Sequence, residues 1–182
     1  IIIPDKLFSI GERAFKGCSS LTSIEIPNSV NKIEVGTFLG CSSLKYVNLS
    51  QNVKEIGSSA FYSCTSLQSI DIEYVEQIKM QAFKNCNNLI SITLPEKLTI
   101  INEGVFAECT GLKNIIFNNS IQEIGEGAFY NCISISTLEL PASILTIKEN
   151  AFSNCNIYKI INKSDLKLEF NSYDNGSIAC NA

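Results

Sequence analysis

Histidine and tryptophan are absent from the 182 residues. Without histidine the chain lacks the commonest general base and a frequent metal ligand. Basic residues are few: 14 Lys and Arg stand against 18 Asp and Glu, a formal charge of -4. No run of them forms the basic footprint that nucleic-acid binding needs, so no nucleic-acid partner is expected. No apolar run approaches the ~18 residues of a membrane helix, so no direct membrane insertion is expected within this segment. The opening "IIIPDKLFSIG" lacks the charged n-region and long apolar stretch of a secretory leader.

Cysteine is plentiful, at 8, and its placement leads to the organisation of the chain. Phenylalanines fall at Phe15, Phe38, Phe61, Phe83, Phe106, Phe129 and Phe152, spaced by 23 residues except for one interval of 22. Each is followed three places on by a cysteine: Cys18, Cys41, Cys64, Cys86, Cys109, Cys132 and Cys155. Further apolar columns keep the same period. One runs Leu21, Leu44, Leu67, Leu89, Leu112, Ile135; another runs Ile33, Ile56, Ile78, Ile101, Ile124, Ile147. The short unit has lost a residue between Ile72 and Val75, in the turn after a strand, where a deletion is expected to cost least.

Each unit carries two local patterns. "LTSIEI" (21–26) and "LQSIDI" (67–72) end in the alternation of a half-buried strand. "GERAFKGC" (11–18) suits a short helical turn, with Ala, Phe and Cys on one face. No unit buries its apolar side alone, whereas stacked units turn each column into a ladder through a shared core. The expected fold is an α/β solenoid: right-handed, with about seven units. It carries a parallel β-sheet on the concave face and short helical turns or irregular segments on the convex face. Residues 1–162 form the repeat domain, its first unit truncated, and 163–182 a cap or tail. "LKLEF" (166–170) alternates like a closing strand, and "NSYDNGS" (171–177) reads as a loop. Ile3 and Pro4 match Ile26 and Pro27, so the chain is expected to continue upstream.

The stretches "LTSIEIPNSVNKIEVGTFLGCSSL" (21–44) and "LKNIIFNNSIQEIGEGAFYNCISI" (112–135) resemble the BspA-like, or Treponema pallidum-type, leucine-rich repeat. The resemblance covers residues from about 1 to 161 and fails in the tail. It implies a surface protein of mucosal bacteria or parasitic protists, engaged in attachment to host cells and extracellular matrix. It carries over no catalytic or ligand residue, because the family has no fixed binding motif.

The cysteines do not suit the usual roles. Zinc sites want C-x₂₋₄-C clusters, and a catalytic thiol wants a polarising partner. Stacked neighbours ~4.8 Å apart approach disulfide range, but parallel side chains keep the Cβ atoms above the spacing a bridge prefers. A ladder of small buried thiols is the expectation, with Cys180 outside it, free or paired in the tail. Carboxylates are scattered, with no recurring pair for acid–base work. Gly11, Gly57 and Gly125 read as turn residues, since no phosphate-binding loop is present. No enzyme activity, metal or cofactor is expected. Sequons at Asn48, Asn118, Asn162 and Asn175 are weak signs of secretion in a chain rich in Asn and Ser.

The residues expected to face outward on the sheet supply the candidate ligand-binding surface: Glu25, Tyr46, Asn48, Asp71, Thr93, Ile116 and Glu139, flanked by Ile90. Tyr46, Ile90 and Ile116 are the expected anchors. Tyr62 and Tyr130 mark the opposite side. A binding module on a cell surface or secreted, recognising a protein or extracellular matrix ligand, is the leading reading. An intracellular protein–protein scaffold is the alternative, and a rigid spacer a third.

Overall fold

The computed structural model of the chain describes residues 1–168. Short parallel strands recur at the same two places in every unit. The first set is β1 (Ser23–Glu25), β3 (Tyr46–Asn48), β5 (Ser69–Ile70), β7 (Ser91–Thr93), β9 (Asn114–Ile116), β11 (Thr137–Leu140) and β13 (Lys159–Asn162). The second set is β2 (Lys32–Ile33), β4 (Glu55–Ile56), β6 (Gln77–Ile78), β8 (Ile100–Ile101), β10 (Glu123–Ile124) and β12 (Thr146–Ile147). Among the described residues this makes about six complete turns of a parallel β-solenoid. Register follows the sequence columns: Ile24 opposite Val47 and Val47 opposite Ile70 in the front row, Ile33 opposite Ile56 and Ile56 opposite Ile78 in the second.

A third row joins the units through the phenylalanine segment. The Phe38 N–H donates to the Ala60 carbonyl at 2.8 Å, Phe61 to Ala82 at 2.8 Å, and Phe83 to Val105 at 2.9 Å. This segment is not helical, and no helix occurs among the described residues. The expected helical turns, and with them the α/β class, give way to tight turns in an all-β solenoid. The cause is backbone conformation. The residue two places before each phenylalanine has positive φ (Arg13, Gly36, Ser59, Gln81, Gly104, Gly127, Asn150). So does the residue two places after it (Gly17, Gly40, Ser63, Asn85, Glu108, Asn131, Asn154). An α-helix needs consecutive right-handed residues. Here alternate N–H groups point to the next unit, while those between them close local turns such as Cys41 N–H to Phe38 O at 3.0 Å.

The core is a set of continuous stacks. Successive phenylalanine rings lie nearly parallel, with centroids 5.1 Å apart for Phe129 and Phe152 and 5.5 Å apart for Phe83 and Phe106. Phe38 through Phe152 are buried, whereas Phe15 and Cys18, at the open end of the ladder, are half-buried. Thr37 replaces the usual alanine before the phenylalanine. Its buried hydroxyl donates to the Glu34 carbonyl at 2.8 Å, which satisfies it. Gly57 and Gly125 each open a tight turn, their carbonyls accepting the Ala60 and Ala128 N–H at 3.2 Å, but positive φ is not what calls for glycine there. A Cβ on Gly57 would lie 2.8 Å from the Ile33 carbonyl oxygen, and one on Gly125 2.8 Å from that of Ile101. Close approach of stacked backbones requires glycine at these two places.

The short unit has a larger effect than a trimmed turn. Strand β5 stops at Ile70, and neither β5 with β7 nor β6 with β8 forms a ladder pair. The front row is interrupted again between β9 and β11. Past β13, Leu166 and Leu168 pack against the core, and residues 166–168 are not a strand. Phe170, the 171–177 loop, Asn175 and Cys180 lie outside the described residues.

Candidate functional site

The front row is the surface on which side chains collect without a structural duty. Inward residues of each strand fill the core, so their outward neighbours stand in solvent. Glu25, Tyr46, Asn48, Thr93, Ile116 and Glu139 are all exposed there. Tyr46 is 54% exposed and Ile116 57%, high values for side chains of this size. The Tyr46 hydroxyl donates to Gln68 Oε1 at 2.8 Å, so its ring leans toward the next unit. Ile90 stands exposed just before β7. Asp71 differs from its reading as a strand residue: it follows β5, and its carboxylate accepts the Glu73 N–H at 3.0 Å.

Strand β13 extends this face beyond the residues singled out in the sequence. Tyr158, 70% exposed, Lys159 and Ile161 continue its three outward columns. The signal was present: Ile157 and Ile160 repeat the three-residue spacing of Leu21 and Ile24, displaced by the residue lost after Cys155. On the other side, Lys84 Nζ sits 5.9 Å from the centre of the Tyr62 ring, and the Tyr130 hydroxyl accepts from Asn154 Nδ2 at 3.3 Å. These two tyrosines are tied to neighbouring units rather than grouped into one surface.

The second row carries charges that pair along the stack. Lys32 lies 3.0 Å from Glu34 and 3.3 Å from Glu55, and Lys79 3.8 Å from Glu55. Hydrogen bonds to Glu34 and Glu55 raise the Lys32 pKa above its ordinary value. Ion pairs this exposed contribute little stability and gather no reactive group. Among the described residues no group of three or more Cys, Asp or Glu is arranged to hold a metal ion.

From Cys41 to Cys155 the thiols lie in the core, each donating to the phenylalanine carbonyl of the preceding unit: Cys64 to Phe38 at 3.1 Å, Cys86 to Phe61 at 3.2 Å, Cys132 to Phe106 at 3.1 Å. Burial pushes Cys41 up to about 11 and Cys109 to about 12, away from the range of a nucleophile. Asn118 is equally occupied. Its amide donates to the Pro95 and Leu98 carbonyls and its oxygen accepts from the Ser120 and Ile121 N–H groups, so this sequon is buried. Asn48 stands open on the front face.

These features define a repeat-built β-solenoid with a presented sheet face. The sequence pattern of the BspA type leucine rich repeat region matches in 6 copies over residues 1–86 and 76–178. The chain belongs to that family. A leucine rich cell surface protein from Faecalibacterium prausnitzii A2-165 is 34% identical, with a TM-score of 0.78 over 85% of this chain and 42% of its own. A leucine-rich repeat protein from Bacteroides ovatus ATCC 8483 is 30% identical, with a TM-score of 0.79 over 86% of this chain and 45% of its own. The leucine rich repeat protein of T. pallidum is 25% identical, with a TM-score of 0.57 over 68% of this chain and 69% of its own. The chain thus spans less than half the length of the first two structures it resembles. No curated protein sequence matches it.

Proposed function

We propose that this chain is a non-enzymatic binding module of a cell-surface or secreted protein, recognising a host protein, matrix or another cell surface through the concave, front-row face. One observation carries the reading: the front row of parallel strands presents Tyr46, Ile116 and Tyr158 to solvent above a buried apolar core. Such exposed aromatic and aliphatic groups on a rigid scaffold are what interface anchors require. The likeness to a leucine rich cell surface protein supports the surface location over an intracellular scaffold. In this reading residues 1–162 are the repeat domain and 163–182 its cap or tail. The packing of Leu166 and Leu168 on the core supports the capping role.

The test is surface plasmon resonance of the chain over immobilised collagen, laminin and intact epithelial cells. Tyr46→Ala should cost roughly 1–3 kcal/mol of affinity with little change in melting temperature. Loss of binding only in Tyr62→Ala and Tyr130→Ala, measured in parallel, would place the partner on the other side of the solenoid. No saturable binding to any of these surfaces would count against the surface reading itself.

A further inference from the structure

The front face sorts its charges by side. From Cys18 onward, the segment between each ladder cysteine and the first residue of the next front strand, that residue included, contains Lys45, Lys113 and Lys159 and no acid. The opposite edge is acidic: Glu25 closes β1, Asp71 follows β5 and Glu139 lies in β11. The turns after the front strands add Glu73, Glu96 and Asp165, while the two lysines there, Lys97 and Lys163, pair with Glu76 and Glu139. All six face charges are exposed. Along the stack they alternate by unit, as Glu25, Lys45, Asp71 and then Lys113, Glu139, Lys159, with the uncharged β7 between the two triads.

These charges are largely unmatched within the chain. In the second row Lys32, Lys79 and Lys148 stand 3.0, 3.8 and 4.0 Å from carboxylates of the same stack. On the front face, among the described residues, Glu139 alone has an ion-pair partner, the exposed Lys163, and Asp71 accepts the Glu73 N–H. The basic and acidic edges lie two or three strand residues apart, about 7–10 Å, too far to pair across one strand. A surface that matches this face must carry the same two edges in reverse order.

The face itself, turned over, is such a surface. Building on the front-face reading, we propose that the front row is self-complementary and pairs with the front row of a second copy of this chain. The two-fold axis runs parallel to the solenoid, so opposed strands are antiparallel while the units keep their order. Lys45 then lies between Glu25 and Asp71 of the second copy, one unit to either side, and Glu139 lies between that copy's Lys113 and Lys159. Phenylalanine rings of successive units are 5.1 to 5.5 Å apart, a step that the flexible four-carbon stem of lysine spans. In the last unit Tyr158 of one copy meets Ile161 of the other, which covers two exposed apolar groups. A two-fold axis along the strands would instead set lysine edge against lysine edge. Seven strands at ~4.8 Å, each about five residues wide at ~3.3 Å, give a footprint of roughly 450 Å² a side, below the ~800 Å² of a standard interface. The pair is therefore weak and forms at high local concentration. Pairing and ligand binding use one face, so they compete.

Sedimentation equilibrium over a concentration series tests this. The mass should rise from 20.0 kDa toward twice that value, and added salt should oppose the rise, because screening weakens exposed charge pairs. Lys45→Glu with Lys113→Glu, and Glu25→Lys with Glu139→Lys, should each weaken pairing at least about tenfold. An equimolar mixture of the two double variants should regain it, because each supplies the charge that the other lacks. Lys148→Glu, in the second row, should leave pairing unchanged. Melting curves check that these variants, all at exposed positions, stay folded. A mass of 20.0 kDa at every concentration, pairing indifferent to both double variants, or no recovery on mixing overturns the proposal. Matrix binding that falls with Tyr46→Ala in a chain that stays monomeric removes self-pairing and leaves the front-face reading. Self-pairing in a chain that binds neither matrix nor cells removes that reading's ligand and leaves the pair.

Discussion

The Cys64 thiol donates to the Phe38 carbonyl at 3.1 Å, and the same carbonyl accepts the Cys41 N–H at 3.0 Å. Both lone pairs of a buried oxygen are thereby used, one within the unit and one from the next. The cysteine column therefore does more than fill small spaces. Its protonated thiol is a donor that links stacked units through the core, a role that oxidation or alkylation would end.

Stability should accordingly depend on alkaline pH. The folded thiols of Cys41, Cys109 and Cys155 are raised to about 11, 12 and 12 by burial. Folded values above the unfolded one mean that their contribution is complete below the ordinary thiol pKa and is lost as pH climbs through the folded values. The melting temperature should fall between about pH 9 and 12, less steeply in Cys109→Ala than in the parent chain. Parallel slopes would remove the thiols as the cause. Site-resolved alkylation at pH 8 should label Cys18 before unfolding and Cys41 through Cys132 only after it. Cys86→Ala should cost about 1–2 kcal/mol, the sum of a small core truncation and a lost hydrogen bond.

The phenylalanine ladder should show an end effect. Phe106 is fully buried between Phe83 and Phe129, at 5.5 and 5.4 Å, whereas Phe15 has one neighbouring ring and is half-buried. Phe106→Ala should destabilise by about 3–5 kcal/mol and Phe15→Ala by less than half of that, measured by urea unfolding. Similar losses at both sites would mean that the stack does not end where Phe15 sits.

Much of this core was legible because inward columns recur at nearly constant spacing, and only stacking buries them all. The helical turns were a misreading of the same regularity. Phenylalanine and cysteine three places apart share a face in a helix and also in a tight turn, so the spacing alone does not discriminate. A better signal was available two places either side of the phenylalanine, where Gly36, Gly104, Gly127, Gly40 and Asn85 fall. Gly and Asn accept positive φ, and a column of them argues against a helix. Arg13, Ser59, Gln81 and Glu108 in the same columns blurred it. The openings in the front row depend on ladder bonds that fail to form between units, so only the missing residue near Ile72 hinted at one of them.

The positive-φ columns give a prediction of opposite signs. Ser59 holds φ 53° without a glycine's freedom, so Ser59→Gly should stabilise the chain by about 0.5–1 kcal/mol. Gly127 holds φ 56°, and a Cβ there would meet Tyr130 Cβ at an unstrained 3.7 Å. Space is not limiting, so Gly127→Ala should lose about 1 kcal/mol from backbone strain alone. Chemical denaturation of the two variants settles it, and a loss in both would show that the left-handed positions are not the determinant.

The last prediction concerns the joint at the short unit. Neither β5 and β7 nor β6 and β8 pair, while the third row stays closed through Gln81 to Glu103 at 2.9 Å and Phe83 to Val105 at 2.9 Å. In the second row, Gly57 N–H donates to Ile33 O at 2.8 Å and Gly125 N–H to Ile101 O at 2.7 Å. At the joint the Asn102 side-chain amide takes that place, donating to Ile78 O at 2.7 Å. Beside it, Lys97 and Glu76 pair across the gap at 2.7 Å. The second row is therefore held there by side chains instead of a backbone ladder, the front row has no ladder pair there either, and local opening should need less free energy than global unfolding. Amides of Ile90, Thr99 and Ile100 should exchange with deuterium at least about tenfold faster than those of Lys45, Gln122 and Glu123 at equivalent places. Asn102→Ala should widen that difference. Inserting a proline between Ile72 and Glu73, which restores the 23-residue spacing, should narrow it. Uniform protection along both rows in the parent chain would show that the side-chain links are as firm as the ladders they replace.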